Sequence, residues 1–176
     1  MNEATTISVQ QVWDWLGEVN DPEIPVLSVV DLGIVRAVDL QAGECVVTIT
    51  PTYSGCPAME VIAEAVTAAL HGHGIANVRL VNQLSPAWTT NSMSAAGKIK
   101  LQGYGIAPPV QQVVDISALS GAVKRVKPGL APRLQVACPN CGSLNTAVTS
   151  QFGSTPCKAL YKCLDCIEPF DYFKCH

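Results

Sequence analysis

Two C-x-x-C pairs constrain this chain more tightly than any other feature. Cys138/Cys141 and Cys163/Cys166 stand 21 residues apart in CPNCGSLNTAVTSQFGSTPCKALYKCLDC. Two thiolates at this spacing can grip one ion from a tight turn, and Gly142 gives the first turn the backbone freedom it needs. A hairpin that brings the two turns together completes a tetrahedral four-cysteine site. Structural zinc is the expected ion, because a fragment of about 40 residues cannot bury a sufficient core alone. An iron–sulfur cluster on the same four thiolates is the alternative. Cys157 and Cys175 are left over; either could replace a member of the quartet, or both could be packed thiols. His176 is a poor ligand, because chain ends fray.

A disulfide framework would need an oxidising compartment. MNEATTISVQ has neither the positive nor the apolar region of a signal peptide, so the expected location is cytoplasmic. A net charge of −3 argues against nucleic-acid binding, and no stretch has the apolar length to cross a membrane. Hydrophobic residues make up 48% of the 176 and charged ones 14%, which is ample material for a packed core. Of the eight cysteines, six crowd into the last quarter, which points to two modules held together in different ways.

The first half reads as an α/β (α+β) sandwich, with helices covering a mixed sheet. Ser8 and Gln11 form a capping box ahead of Val9, Val12, Trp13, Leu16 and Val19 at helical spacing. Residues 33–40 and 45–50 are β-branched runs around a turn, a predicted hairpin. A helix over 57–71 should turn Val61, Ile62, Ala65, Val66, Ala69 and Leu70 inward and end at Gly72 and Gly74. A third strand follows over 77–84. Asn91 should then cap a last helix, with Met93, Ala96, Leu101 and Tyr104 inward. The expected division is a domain over 1–106, a proline-rich linker over 107–133 and a small β-rich, zinc-ribbon-like module over 134–176.

Cys56 lies at a strand-to-helix joint. Pro57 suits a first helical position, which makes Cys56 the predicted N-cap. A sulfur there faces unpaired amides and the positive end of the helix, so a reactive or metal-binding thiolate is expected. Cys45, in a strand, reads as buried and inert. A cysteine–histidine enzyme is disfavoured, because a helix over 57–71 carries His71 about 21 Å from Cys56. Asp21 and Glu23, in the rigid NDPEIP corner, can present carboxylates to Cys56, although Asp21 can equally cap its own turn. A carboxylate beside Cys56 would raise its pKa or help to coordinate a cation.

NDPEIPVLSVVDLGIV, TPTYSGCPAME and LSPAWTTNSMSAAGKIKLQGYGIAPP, in that order, resemble the domain shared by iron–sulfur assembly factors of the bacterial SufT and eukaryotic cytosolic targeting type. The sequence departs from that pattern at Asn91-Ser92. With its C-terminal module added, the chain is similar to accessory proteins of the phenylacetyl-CoA ring-epoxidising monooxygenase. The resemblance implies a non-catalytic factor that helps to insert iron–sulfur clusters, with the reductase subunit as the expected recipient. Cys56 would be the transfer thiol, holding iron or a cluster transiently, with Asp21, Glu23 and Thr52 as neighbours. An integral structural or electron-transfer subunit is the alternative. The implied partners are the reductase and the other oxygenase subunits, and a homodimer is a further expectation.

Overall fold

A computed structural model of the chain describes residues 7–41, 43–53, 55–110 and 135–174. Helix α1 (Val9–Leu16) starts at Ser8 with the expected capping box. Strands β1 (Val35–Gln41) and β2 (Glu44–Ile49) pair antiparallel as the predicted hairpin. Helix α2 (Met59–Gly72) then carries the chain back so that β3 (Val78–Asn82) pairs parallel with β2. A parallel pair needs such a crossover, and here it makes a mixed sheet of order β1-β2-β3. The α+β class expected from the sequence therefore holds.

Residue alternation explains the core. Cys45, Val47 and Ile49 share one face of β2 and join Val12, Leu16, Ile62, Val66 and Leu70 in a single buried cluster. The inward stripe of α2 is narrower than expected, and Val61 is exposed. Helix α3 (Ala95–Gly103) is capped by Ser94 rather than Asn91. The buried positions of α3 are Gly97 and Leu101, while Ala96 and Tyr104 face solvent. Gly97 is needed there because a Cβ would lie 2.9 Å from the Asp31 carbonyl oxygen.

A second sheet has the order β4-β7-β6-β5, from β4 (Ile106–Ala107), β5 (Thr146–Ser150), β6 (Lys158–Cys163) and β7 (Pro169–Phe173). Strand β4 lies parallel to β7 and links this sheet directly to the end of α3. The faces of β7 serve different cores. Phe170 and Tyr172 join Ala107, Val136, Cys138, Ala159 and Cys163, whereas Phe173 enters the first core with Ile106 and Cys157. Most of the predicted linker, 111–133, lies outside the described residues.

Asp31 staples α3 to the corner before β1. One carboxylate oxygen accepts from Ser94 Oγ at 2.9 Å and the other from Lys100 Nζ at 2.6 Å and the Ser28 amide at 3.3 Å. Burial alone would raise the pKa of Asp31, but the Lys100 and Ser94 hydrogen bonds bring it below the ordinary value of 3.8. A lowered folded pKa gives stability that is complete above the ordinary value and is lost as pH falls through the folded one. Asp31→Asn should therefore cost about 1–2 kcal/mol at pH 7, kept small by the exposure of Lys100. In urea titrations this deficit should shrink as pH falls below the ordinary carboxylate value of 3.8.

Candidate functional site

The four sulfurs of Cys138, Cys141, Cys163 and Cys166 all lie within 4.8 Å of one another. Cys138 and Cys166 approach to 3.7 Å, and Cys141 and Cys163 to 3.6 Å. A tetrahedral zinc with metal–sulfur bonds of about 2.3 Å sets its sulfurs about 3.8 Å apart, so the quartet fits that ion. The first turn closes through the Gly142 amide to the Cys138 carbonyl, with Gly142 at φ +76°. The second turn puts Ile167, a β-branched residue, at φ +69° in the equivalent left-handed position. Asp165 braces the two turns, accepting from the Ser143 hydroxyl and from Asn145 Nδ2 at 2.7 Å.

The thiols of this quartet cannot all ionise side by side without a cation between them. The Cys166 amide donates to Cys163 and brings its thiol down to about 7. The Glu168 amide favours ionisation of Cys166, but burial and the neighbouring sulfurs overrule it and push Cys166 up to about 12.

Cys56 sits in a second cluster, at the seam between the two sheets. It precedes α2 by three residues, and Ala58, not Cys56, is the helix cap. The predicted capping position is corrected accordingly: 57 and 58 form a turn, so the regular helix starts later. The expected amides are nevertheless there: those of Ala58 and Met59 favour the ionised Cys56 sulfur, and the Met59 amide donates to the Cys56 carbonyl at 3.4 Å. Their effect is outweighed. Burial, together with the charges of Glu23 and Asp21, raises the Cys56 pKa, so the predicted thiolate is a protonated thiol at neutral pH.

Asp21 caps its own turn, accepting from the Glu23 amide at 2.9 Å and the Ile24 amide at 2.8 Å. Its burial raises its pKa against those hydrogen bonds. Glu23 is half-buried, and its Oε2 lies 3.4 Å from the sulfur of Cys157. Cys157 is therefore outside the four-thiol site, and its own pKa is pushed up to about 11 by burial. Tyr53 belongs to the same cluster: burial raises its pKa first, and the charges of Cys56, Glu23 and Cys157 add to this. Thr52 stands beside the cluster, lining a cavity of about 390 Å³ with Thr50, Tyr53, Leu84 and Trp88. Cys45 is fully buried, as expected of an inert thiol. Cys175 and His176 lie outside the described residues.

Sequence reasoning misses Tyr53 and the placement of Cys157. Tyr53 sits three residues before Cys56, and that proximity is a usable signal. The meeting of Cys157 with Glu23 joins residues 134 positions apart and leaves no local signal.

Two family models match the chain: "Iron-sulfur cluster assembly protein" over residues 9–80 and "PaaD zinc beta ribbon domain" over residues 124–174. The chain is 45% identical over 167 residues to an Escherichia coli K12 protein named as a subunit of a "Putative 1,2-phenylacetyl-CoA epoxidase", covering 95% of this chain and 93% of that one. It is 34% identical over 103 residues to the "Fe-S protein maturation auxiliary factor" of Porphyromonas gingivalis, covering 57% of this chain and 97% of that protein. A solved structure of a domain of unknown function, DUF59, from Bacillus anthracis is similar at 28% identity and a TM-score of 0.50. It covers 53% of this chain and 90% of its own.

Loss of one quartet thiol should loosen the second sheet. Cys163→Ser is expected to release bound zinc, measured by elemental analysis, and to shift tryptophan emission to the red as Phe173 leaves the side of Trp88. Ile167→Gly should do the reverse, stabilising the zinc-loaded protein by about 1 kcal/mol by relieving the left-handed strain. Thermal unfolding of the two variants checks both signs.

Proposed function

This chain belongs to the PaaD family, and from that premise we propose that it is a non-catalytic accessory factor of the phenylacetyl-CoA epoxidase system in phenylacetate catabolism. Its task is to help assemble or insert iron–sulfur clusters through Cys56, with the reductase subunit as recipient. The observation that carries this reading is the placement of Cys56. The sulfur is half-buried at the start of a helix, where the Ala58 and Met59 amides and the charges of Glu23 and Asp21 act on it.

A thiol in that setting suits a carrier better than a permanent ligand. Because the folded site raises its pKa, incoming iron must displace the thiol proton to form the iron–sulfur bond. Return of that proton favours departure of the metal. The cluster or iron is cargo here. The zinc at the four-thiol site has a different role, holding the second sheet in shape.

A second reading makes the chain an integral part of the oxygenase, and the word "subunit" in the name of the Escherichia coli relative favours it. Purification of the active oxygenase separates the two: an assembly factor should be absent from the turnover-competent complex, and an integral component should be present at fixed stoichiometry.

Cys56→Ser should fold and retain zinc, losing about 1 kcal/mol or less because a hydroxyl can still accept from the Ala58 and Met59 amides. Serine stays protonated near neutral pH and is a poor iron ligand. Cells carrying this variant as their sole copy should accumulate reductase without its cluster, read from its visible absorption and iron content. Full cluster occupancy in those cells would refute the transfer role.

A further inference from the structure

We propose that the outer edge of β3 and the cavity at its end dock the recipient protein. The recipient adds an extended segment as a fourth strand and sets an uncharged, largely apolar side chain in the cavity. This rests on the carrier reading above and deepens it, by naming how the recipient is held beside the Cys56 loop.

The edge follows from the sheet order β1-β2-β3, in which β3 has a neighbour on one side. The Asn77 carbonyl accepts from the Cys45 amide at 2.9 Å, and the Gln83 amide donates to the Ile49 carbonyl at 2.8 Å, so both turn towards β2. Backbone direction alternates along a strand, so Arg79 and Val81 face β2 as well. Val78, Leu80 and Asn82 then turn their amides and carbonyls outwards, and among the described residues these groups have no partner. Such edges are usually guarded by a charge, a proline or a bulge. The register with β2 runs unbroken from Val78 to Asn82 and includes no proline. Its one charged residue, Arg79, is drawn over β2 by Glu44 at 2.9 Å.

What lies at the end of this edge favours one kind of occupant. Because β2 and β3 run parallel, the chain leaves both at the same end of the sheet. Residues 50–53 and then Cys56 follow β2, while residues 84–88 follow β3. Between the two segments lies the cavity of about 390 Å³, a size typical of ligand sites. Thr50 lines it and is 1% exposed, and its Oγ1 has no hydrogen-bond partner among the described residues. A buried hydroxyl left in that state is costly, and an occupant that supplies one hydrogen bond removes the cost. Among the described residues none that lines the cavity is charged, and Leu84 at its mouth is 65% exposed. A carboxylate, phosphate or ammonium group would be buried there without a counter-charge. The side chain that fits is neutral, with an apolar body and a polar tip, of the tyrosine or tryptophan kind.

Pairing along an edge for affinity, with a side-chain pocket for selectivity, is a general way to capture an extended peptide. A second copy of this chain fits less well. Two-fold pairing about Leu80 would bring Ala76 and Asn77 to the cavity, and neither has the apolar side chain to fill it.

The test adds cluster-free reductase to the zinc-loaded full chain and follows backbone amide exchange by NMR. In the free chain Arg79 and Val81 should exchange slowly, and Val78, Leu80 and Asn82 fast. Reductase should slow the latter three by on the order of tenfold or more. Asn82→Pro removes an outward amide where an edge strand tolerates proline, and Leu84→Asp sets a charge at the cavity mouth. Each should weaken reductase binding on the order of tenfold and delay its maturation in cells. Thr50→Val should weaken binding without lowering the melting temperature, since it removes an orphaned hydroxyl. Zinc content and circular dichroism check that each variant is folded.

A lower melting temperature for Thr50→Val would show that hydroxyl already satisfied, and the cavity assignment would fall. Absence of slowing in wild type overturns the docking site, as does slowing that grows with the chain's own concentration when no reductase is present. Wild-type affinity in both Asn82→Pro and Leu84→Asp overturns it too; the carrier function stands if Cys56→Ser still blocks maturation. Cys56→Ser itself should bind reductase as wild type does. Full maturation by that variant, with slowing at β3 intact, overturns the carrier function and leaves the docking edge standing.

Discussion

Phe173 meets Trp88 edge-on, with ring centroids 6.0 Å apart and planes at 70°, and this contact joins the second sheet to the first core. Trp88 is fixed in turn by a 2.8 Å hydrogen bond from its indole to the Leu32 carbonyl. Through these links a strand of the second sheet becomes part of the core built by α1, α2 and the first sheet. Cys157, buried in the same core as Phe173, meets Glu23 at this join. The four-thiol quartet, with sulfurs 3.6 and 3.7 Å apart across the two turns, ties the turn before β5 to the turn between β6 and β7. One cross-link holds the small sheet together, and the aromatic pair fastens it to the larger body.

The seam also shows how competing electrostatic effects are resolved. Helix-start amides favour a thiolate at Cys56, while burial and two neighbouring carboxylates oppose it, and the opposing side prevails. A free loop with the same S-G-C-P residues would retain the amides and lose the burial. Packing therefore decides the chemistry of the sulfur more than the local motif does.

What the sequence makes legible is set by range. Contacts three or four residues apart leave clear marks: the Ser8–Gln11 box, the hairpin, the crossover helix and the paired turns can each be read from their own residues. The inward stripe of α3 is hidden because Gly97, the residue that allows close approach to Asp31, counts as neutral in a hydrophobic pattern. Asp31 carries no local mark of its role, since Lys100 and Ser94 become its partners only when α3 folds back. The same holds for Cys157. The paired C-x-x-C turns announce a metal so clearly that a nearby cysteine is drawn into the quartet's account, although the fold gives it different company.

The parallel pairing of β4 with β7 has a consequence for the order of events during synthesis. Ile106 and Ala107 leave the ribosome long before Asp171 and Tyr172, their partners, exist. The compact first core can form in that interval, with much of its contact made between neighbours in sequence. It then waits with one short strand edge open and Trp88 lacking its aromatic cover. An open edge and an uncovered indole are features that chaperones and other nascent chains engage. Keeping β4 to two residues limits that hazard while preserving the landing place for β7.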